Sequence, residues 1–431
     1  MPHLWRMQWK SSLLPVKVFG GQAVAGRQYM ARLICASGEY VIFIPEQTGV
    51  RLSQAMLEVL VQTTLPVRLG QAMLEVLVYA PIISGQFYVL YDTQDILVVT
   101  ELSDGGGSAI WKTDWLTTWY DARTYWADYI YPSATEEAKV NVTAGKGNTS
   151  YIFHSADGGD NWSSVSSITA WNRFYRGRSD LSTPGLMWAP HMSFPPAPYN
   201  VYKVSKSTNG GSGWTSATLG SHSSSWNSVA APVVCPMRNG SGYYVVYPMI
   251  NSGAGTYGQQ WYKVDGGTSS WWELVTSITY VYPDMAVDPT NPNRIFYVEG
   301  NQEIIKLSWS TKAKTNRTPP GTILDITGIV CTSTGVVFAA VRVSSGGDRG
   351  RIYWSSDRGK TWSYYDFTSQ SDSVWDESMI LGITSGDTVA MMLNSGKVLF
   401  TSDDGSTWGV TSQLGFDWST DFATVLDIQG T

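Results

Sequence analysis

Charged residues are sparse in this chain, and their balance does not favour a polyanionic partner. They make up 15% of the 431 residues, the formal net charge is −6, and no stretch is rich in Lys or Arg. Proteins that bind nucleic acids present a basic patch or stripe to the phosphate backbone. The composition therefore excludes nucleic acid as an expected partner.

Cysteine and histidine are also few. The three cysteines, Cys35, Cys235 and Cys331, are far apart and odd in number, which argues against a disulfide framework. The four histidines form no cluster in the sequence, and neither a CxxC nor an HExxH motif is present. We therefore expect buried free thiols, no metal site and no cofactor.

Long apolar runs are missing as well. No run of 18 apolar residues could span a membrane, and the first ten residues lack a charged segment followed by an apolar one. The sequence accordingly predicts neither membrane insertion nor a secretory signal. What is abundant is Gly (42), Trp (20) and Tyr (24), which favours an all-β, turn-rich and aromatic-packed protein over a helical one.

One phrase, S/T-x-D/N-x-G-x-x-W, occurs four times. Asp157 and Asn209 are 52 residues apart, and Asp357 and Asp403 are 46 apart, a spacing that indicates a repeat architecture. Its members are Ser155, Asp157, Gly159 and Trp162; Ser207, Asn209, Gly211 and Trp214; Ser355, Asp357, Gly359, Thr361 and Trp362; and Thr401, Asp403, Gly405, Thr407 and Trp408.

The chemistry of this phrase is that of a hairpin corner. The Asp or Asn side chain accepts hydrogen bonds from backbone N–H groups just ahead of it, and Gly permits a positive φ. The Trp begins the returning strand and buries a large ring between sheets. The phrase resembles the Asp-box, or BNR, repeat of sialidases and related β-propellers. This resemblance implies a structural role, on the outer turn of each blade and away from the axis where ligands bind.

Weaker copies complete the series. Asp114 and Asp265 precede a Trp at similar spacing, and the gap of 92 residues between Asp265 and Asp357 places an eroded copy near residue 311. The count predicts seven blades between about Gln86 and Thr431, with six as the alternative if the copy at Asp114 is chance. The segment Ala286–Tyr297 also looks like the inter-strand segment of Asp-box propellers of the xyloglucanase and photosystem-assembly type.

Residues 1–85 form a different, small β-rich module, which precedes the propeller of residues 86–431. Val50–Val61 recurs as Val67–Val78 with an offset of 17 residues and 11 of 12 positions identical. The composition permits either a buried helix or strand-like segments. The tandem repeat is similar to short elements of tailed-phage virion proteins, which implies an attachment module that supports a multi-copy or homo-oligomeric assembly. The alternative is an internal duplication that only packs a small core.

Catalytic residues of sialidases cannot be transferred to this chain. Those enzymes carry an Arg-Ile-Pro phrase near the start of the propeller, whereas here Phe43-Ile44-Pro45 lies outside it. We therefore assign no catalytic residue. Another kind of glycosidase would need two carboxylates that face each other across a cleft. The acids that could lie near the axis are Asp284, Asp288, Asp325, Asp376 and Glu377.

Two aromatic clusters suit binding better than catalysis. They lie in the stretches Trp119–Tyr129 and Trp171–Asp180, and each combines aromatic rings with Arg and Asp. Sugars stack on aromatic faces while Arg and Asp bond their hydroxyls; packing between blades is the alternative use of these rings. The candidate ligand-binding residues are Tyr120, Arg123, Tyr125, Trp126, Arg173, Tyr175 and Arg176.

From these patterns we expect a non-catalytic component of a tailed-phage virion. It would be displayed on a tail, fibre or capsid surface and would contact host-surface glycan, neighbouring virion proteins, or both. A glycan hydrolase and a purely structural decoration protein are the alternatives.

Overall fold

The computed structural model describes most of residues 139–410 and a set of strands outside that range. The described residues are 29–35, 38–44, 73–78, 87–93, 96–103, 106–113, 125–132, 139–146, 149–157, 161–168, 177–183, 185–193, 199–223, 226–228, 232–240, 242–251, 256–275, 284–300, 302–344, 348–366, 381–392, 398–410 and 423–430.

The chain divides into two compact units, Met1–Ile82 and Ile83–Thr431. The described part of the first unit is an antiparallel sheet of β1 (Tyr29–Cys35), β2 (Gly38–Ile44) and β3 (Met73–Val78), in the order β2-β1-β3. Strand β3 is the second half of the second copy of the tandem repeat, so that segment is a strand and not a helix. The first copy lies outside the described residues.

The described part of the second unit consists of strands, with no helix. Its strands are β4 (Phe87–Thr93), β5 (Ile96–Ser103), β6 (Gly106–Thr113), β7 (Tyr125–Pro132), β8 (Val140–Lys146), β9 (Thr149–Ser155), β10 (Ser163–Ile168), β11 (Arg178–Ser179), β12 (Met187–Ser193), β13 (Tyr199–Ser207), β14 (Thr215–Ser223), β15 (Trp226–Ser228), β16 (Val233–Pro236), β17 (Tyr243–Asn251), β18 (Thr256–Val264), β19 (Thr268–Val275), β20 (Met285–Val287), β21 (Arg294–Glu299), β22 (Glu303–Ser308), β23 (Ala313–Asn316), β24 (Ile323–Cys331), β25 (Val337–Ser344), β26 (Asp348–Ser355), β27 (Ser363–Asp366), β28 (Leu381–Ile383), β29 (Val389–Met392), β30 (Val398–Thr401), β31 (Gly409–Val410) and β32 (Ala423–Gly430).

These strands form seven antiparallel sheets. In chain order they are sheet 1 (β32-β4-β5-β6), sheet 2 (β7–β10), sheet 3 (β11–β14), sheet 4 (β15–β19), sheet 5 (β20–β23), sheet 6 (β24–β27) and sheet 7 (β28–β31). Each has four strands except sheet 4, which has five because both β15 and β16 pair with β17. The last strand, β32, pairs with β4, so the end of the unit completes its first sheet.

We call one inner strand of each sheet its first strand: β32 in sheet 1, β16 in sheet 4 and the earliest strand in chain order elsewhere. These first strands contact one another in a closed series. Strand β7 contacts β11, β11 contacts β16, and the series continues through β20, β24 and β28 to β32, which contacts β7 again. Sheets arranged radially around a channel in this way form a β-propeller. The expectation of an all-β propeller is therefore confirmed.

Packing between sheets explains why the strands are apolar on both faces. Along β21, Ile295 and Tyr297 point into a core shared with sheet 4, whereas Phe296 and Val298 point into a core shared with sheet 6. Successive side chains of a strand alternate between faces, so a sheet with a neighbour on each side must be apolar at every position. Burial on both faces fixes each sheet between its neighbours and holds the first strands around the channel.

Candidate functional site

The turns that carry the S/T-x-D/N-x-G-x-x-W phrase, which we call the Asp-box turns after the repeat they resemble, are built by side-chain hydrogen bonds within each turn. Ser355 Oγ donates to Asp357 Oδ1 at 2.8 Å, and the Thr361 N–H donates to the same oxygen at 2.9 Å. The backbone N–H of Gly359 donates back to Ser355 Oγ at 2.7 Å. These bonds close the turn locally, as the sequence predicts.

The other copies repeat this network with small changes. Asn209 Oδ1 accepts from Ser207 Oγ at 2.8 Å and from the Gly213 N–H at 3.0 Å. In the last copy, Gly405 has a left-handed backbone conformation (φ +86°), and a Cβ at this position would lie 2.7 Å from the Trp354 ring. Only glycine suits that position, because both the backbone conformation and the space exclude a side chain.

The tryptophans of the turns lie against their own or the neighbouring sheet. Trp408 Nε1 donates to the Gly405 carbonyl at 3.1 Å, and its ring lies 5.6 Å from that of Trp354. Trp362 Nε1 donates to the Arg317 carbonyl of sheet 5 at 2.9 Å. Each ring thus satisfies its polar N–H while it covers an apolar edge.

The hydrogen bonds of the first turn hold its carboxylate in the charged form. The Asn161 side-chain amide, its backbone N–H and Ser155 Oγ all donate to Asp157, and they lower its pKa from 3.8 to about 2. The pKa of Asp357 is lowered in the same way, chiefly by the backbone and side chain of Thr361. Because hydrogen bonds to the ionised form favour it, each turn is strengthened by deprotonation of its Asp.

We expect acid to weaken these turns within a defined range of pH. The folded pKa of Asp157 is depressed, so its stabilising effect is complete above about pH 4 and is lost as the pH falls through about 2. Carbon-13 NMR titration of the Asp157 carboxyl group should give a midpoint of about 2. The substitution Asn161→Ala should raise that midpoint toward the ordinary Asp value.

The Asn209 turn supplies the matched control, because its side chain carries no charge. Its amide signals should not change over the same acid range, and Asp357→Asn should make the third turn equally insensitive to pH. A midpoint for Asp157 that stays at its ordinary value would contradict the role given to these hydrogen bonds.

The Asp-box turns and the turns after the first strands lie at the same end of the sheets. Antiparallel order brings the end of the first strand and the end of the third strand to one edge. Arg358, in the Asp-box turn of sheet 6, donates to Asp288 in the inner turn of sheet 5 at 3.4 Å. Thr334, in the inner turn of sheet 6, likewise contacts Asp404 of sheet 7. In sheets 6 and 7, the outer turn therefore fastens the sheet to the inner turn of the sheet before it.

A pocket opens at this end of the channel, and we call it the axial pocket. Its cavity volume is about 50 Å³, and it lies between the first strands and inner turns of sheets 3 to 7. Two arginines contribute its charged groups, and most of the remaining lining is apolar. Its described lining consists of Arg178, Ser179, Leu181, Cys235, Pro236, Arg238, Ala286, Val287, Val330, Cys331, Leu381, Gly382 and Ile383.

Arg178 is held by a carboxylate two sheets away. Its Nη2 lies 2.5 Å from Asp284 Oδ1, and Asp284 Oδ2 accepts from the Ile329 N–H of sheet 6 at 2.8 Å. The Met285 N–H also donates to Asp284, at 3.0 Å. A single buried carboxylate therefore joins sheets 3, 5 and 6.

Arg238 makes a second connection across the channel. It lies in the inner turn of sheet 4 with φ +54°, and its Nη1 donates to the Cys331 carbonyl of sheet 6 at 2.9 Å. Its Nη2 donates to Asp387 of sheet 7 at 3.2 Å. Both arginines also act on Cys235: burial raises the pKa of that thiol to about 11, while the two positive charges oppose the rise. The pocket therefore combines two positively charged side chains with a largely apolar lining.

Two of the acids considered for hydrolysis have structural partners. Asp284 is paired with Arg178, and Asp288 accepts from the Thr290 N–H at 2.9 Å and from Arg294 Nη1. Both side chains are buried, at 3% and 0% exposure, so neither faces solvent as a free acid or base. Asp325 lies on β24, and Asp376 and Glu377 lie outside the described residues.

Most of the predicted ligand-binding residues lie outside the described residues, so their role stays a prediction. Tyr125 and Trp126 lie on β7, the first strand of sheet 2, although their side chains are not described. The others, Tyr120, Arg123, Arg173, Tyr175 and Arg176, lie outside the described residues, as does Gly159 of the first Asp-box.

Cys235 and Cys331 are buried free thiols, as expected, and the Cys35 side chain is not described. No group of three or more His, Cys, Asp and Glu side chains within the described ranges could hold a metal ion. In the same ranges, no helix has the length and apolar character that a membrane span requires.

Sequence reasoning did not single out Arg178 or Arg238 as site residues. Arg178 lies in the aromatic stretch Trp171–Asp180, only two positions beyond Arg176. Arg238 occurs in the turn Met237–Gly240, where nothing in the sequence marks it. Arg178 begins β11, and Arg238 lies in the turn that follows β16, so a position at either end of an inner strand was the signal that could have found both.

Known structures share the fold at low sequence identity. No family model and no curated protein matches the chain. A protein from Lactobacillus plantarum is 11% identical over 80% of this chain and 99% of its own, with a TM-score of 0.49. Apo AztD from Citrobacter koseri is 8% identical over 80% of this chain and 97% of its own, with a TM-score of 0.43. YCF48 from Cyanidioschyzon merolae is 13% identical over 68% of this chain and 90% of its own, with a TM-score of 0.39. At these identities the chain is similar to them in fold alone.

Proposed function

We propose that this chain is a non-catalytic binding component of a tailed-phage particle. It is displayed on a tail, fibre or capsid surface and contacts host-surface glycan, neighbouring virion proteins, or both. The absence of catalysis in this proposal rests on the burial and pairing of two described carboxylates beside the channel. Asp284 and Asp288 are buried in ion pairs and turns, whereas the charged groups that line the axial pocket are Arg178 and Arg238.

Hydrolysis of a glycoside requires an acid and a base or nucleophile that reach the scissile bond from two sides. A carboxylate that already accepts several hydrogen bonds from its own protein lacks both the freedom and the access for that task. Arginines and apolar walls suit binding instead, because guanidinium groups recognise anions without transferring protons at neutral pH.

Attachment to neighbouring subunits is supported by the sheet of the first unit. In its described part, β2 and β3 are the outer strands and β1 is the centre, so each outer strand has one side without a partner in that sheet. Such edges add strands from another chain through backbone hydrogen bonds. Display in many copies would convert a weak affinity for glycan into strong adhesion.

The test combines particle composition, adhesion and hydrolysis. Particles produced by cells that carry this gene should contain the chain in multiple copies, as measured by quantitative mass spectrometry. The purified full chain should bind host cells, or bind the other particle proteins, and release no reducing sugar from host polysaccharide.

Two variants sharpen the outcome. The double substitution Tyr125→Ala and Trp126→Ala should lower glycan binding by about tenfold or more, because stacking on aromatic rings is lost. Tyr364→Ala, at an exposed aromatic residue of β27, is the control and should leave binding unchanged. The proposal would be refuted if the wild-type chain released sugar, or if the particles did not contain the chain.

A further inference from the structure

The axial pocket has a composition that differs from that of a sugar site. Its described apolar lining is aliphatic and includes Leu181, Val287, Val330, Leu381 and Ile383, with no aromatic ring. A sugar would leave its hydroxyl groups opposite these side chains without hydrogen-bond partners, which is costly. The pocket therefore suits a ligand with a mostly apolar body.

The charged part of the lining is a pair of guanidinium groups. Arg178 and Arg238 are 14% and 12% exposed, so both charges are largely removed from water. The Nε–H of Arg178 is buried and has no acceptor among the described residues. A buried donor without an acceptor costs free energy.

The neighbouring carboxylates pair with both arginines but do not use all of their N–H donors. Asp284 divides its oxygens between Arg178 and two backbone N–H groups. Asp387 divides its own between Arg238 and Ser333, whose N–H donates to it at 2.8 Å. Each guanidinium therefore keeps N–H donors that none of these acceptors uses, and the planar fork of Arg matches a carboxylate.

We infer that the axial pocket binds a carboxylate carried on a small aliphatic body. The carboxylate lies between Arg178 and Arg238, and the body contacts the aliphatic walls formed by the first strands of sheets 5 to 7. Either a free short-chain acid or the C-terminal residue of a peptide has this chemistry. The inference rests on the proposed binding role, and it names the ligand class of this pocket rather than of the aromatic clusters.

The experiment compares a charged probe with its neutral isostere on the full chain. Calorimetric titration should show that 4-methylpentanoate binds at least about tenfold more tightly than 4-methylpentanamide, because the amide keeps the body and loses the charge. Methyl NMR signals of Leu381 and Ile383 should shift with the acid and locate it in the pocket. Tighter binding of N-acetylleucine than of 4-methylpentanoate would identify a peptide C-terminus as the source, and the reverse a free acid.

Variants test the two cations separately. Arg178→Gln and Arg238→Gln should each weaken 4-methylpentanoate about tenfold or more, whereas Arg351→Gln should change it less than about twofold. Arg351 is the matched control, because it is 14% exposed like Arg178 but pairs with Asp366 on outer strands. If an arginine variant does not fold, the comparison of acid and amide on the wild-type chain still decides.

Equal affinity for acid and amide, or methyl shifts confined to residues outside the pocket, would overturn the inference. Inorganic phosphate that binds as tightly as the acid would also overturn it, because the aliphatic body would then contribute nothing. Particle association and glycan binding are measured separately. If particle association and glycan binding both fail, the proposed function is refuted even if the acid binds. If they succeed and the acid does not bind, the proposed function stands and only the inference about the pocket is refuted.

Discussion

Asp284→Ala should lower the free energy of unfolding of the propeller by about 3–5 kcal/mol, because it breaks a buried ion pair from one side. Arg178 would lose its carboxylate partner, and the N–H groups of Met285 and Ile329 would lose their acceptor. Chemical denaturation followed by tryptophan fluorescence would measure the change.

Asp265→Ala provides the comparison for this experiment. Asp265 pairs with Lys263 at 2.5 Å but is 38% exposed, in a hairpin at the outer edge of sheet 4. Exposed pairs contribute little, so this variant should lose no more than about 1 kcal/mol. Similar losses in the two variants would show that Asp284 does not connect the sheets as described.

Trp261→Ala should have an effect of similar size, about 3–5 kcal/mol, through loss of packing between sheets 4 and 5. The Trp261 side chain is fully buried in the core that the two sheets share, and its ring lies 5.0 Å from that of Tyr297. Its Nε1 donates to Gln259 Oε1 at 3.0 Å, so the substitution also removes a partner from a buried amide. Thermal and chemical denaturation should both report the loss.

Tyr364→Ala serves as the control for aromatic size. Tyr364 is 51% exposed, and its ring lies 5.4 Å from that of Tyr353 at the outer strand β27. Its removal should cost about 1 kcal/mol or less, because surface substitutions rarely exceed this. A Trp261 variant as stable as the Tyr364 variant would mean that the inter-sheet core tolerates a large cavity.

Local patterns predicted the strands of the last sheet well. From short apolar runs between turn residues, the sequence predicts four strands for this sheet, at 378–384, 388–393, 397–401 and 409–412. The structure has them at Leu381–Ile383, Val389–Met392, Val398–Thr401 and Gly409–Val410. Turn residues separate these strands at short range, so neighbouring residues are enough to find them. The same reasoning left the tandem repeat undecided, because its apolar residues fit a helix and a strand equally well.

The weaker Asp-box copies show that the sequence pattern does not describe every turn in this position. Asp265 pairs with Lys263 at the β18–β19 hairpin, and the Asp265 N–H donates to the Gly267 carbonyl at 3.0 Å. Near residue 311, the β22–β23 turn contains Trp309, whose ring lies under Lys312 Nζ. Both turns occupy the place of an Asp-box without its hydrogen bonds, because a hairpin can be closed by more than one arrangement.

The sequence by itself determined the repeating β architecture and the turns between its strands, because short apolar runs, turn residues and the hydrogen bonds of Asp-box side chains act within a few residues. Only the tertiary structure decided the axial pocket. Arg178 meets Asp284 across 106 positions and Arg238 meets Asp387 across 149. Such pairs depend on the order in which the sheets close around the channel, and no local preference of either residue encodes that closure.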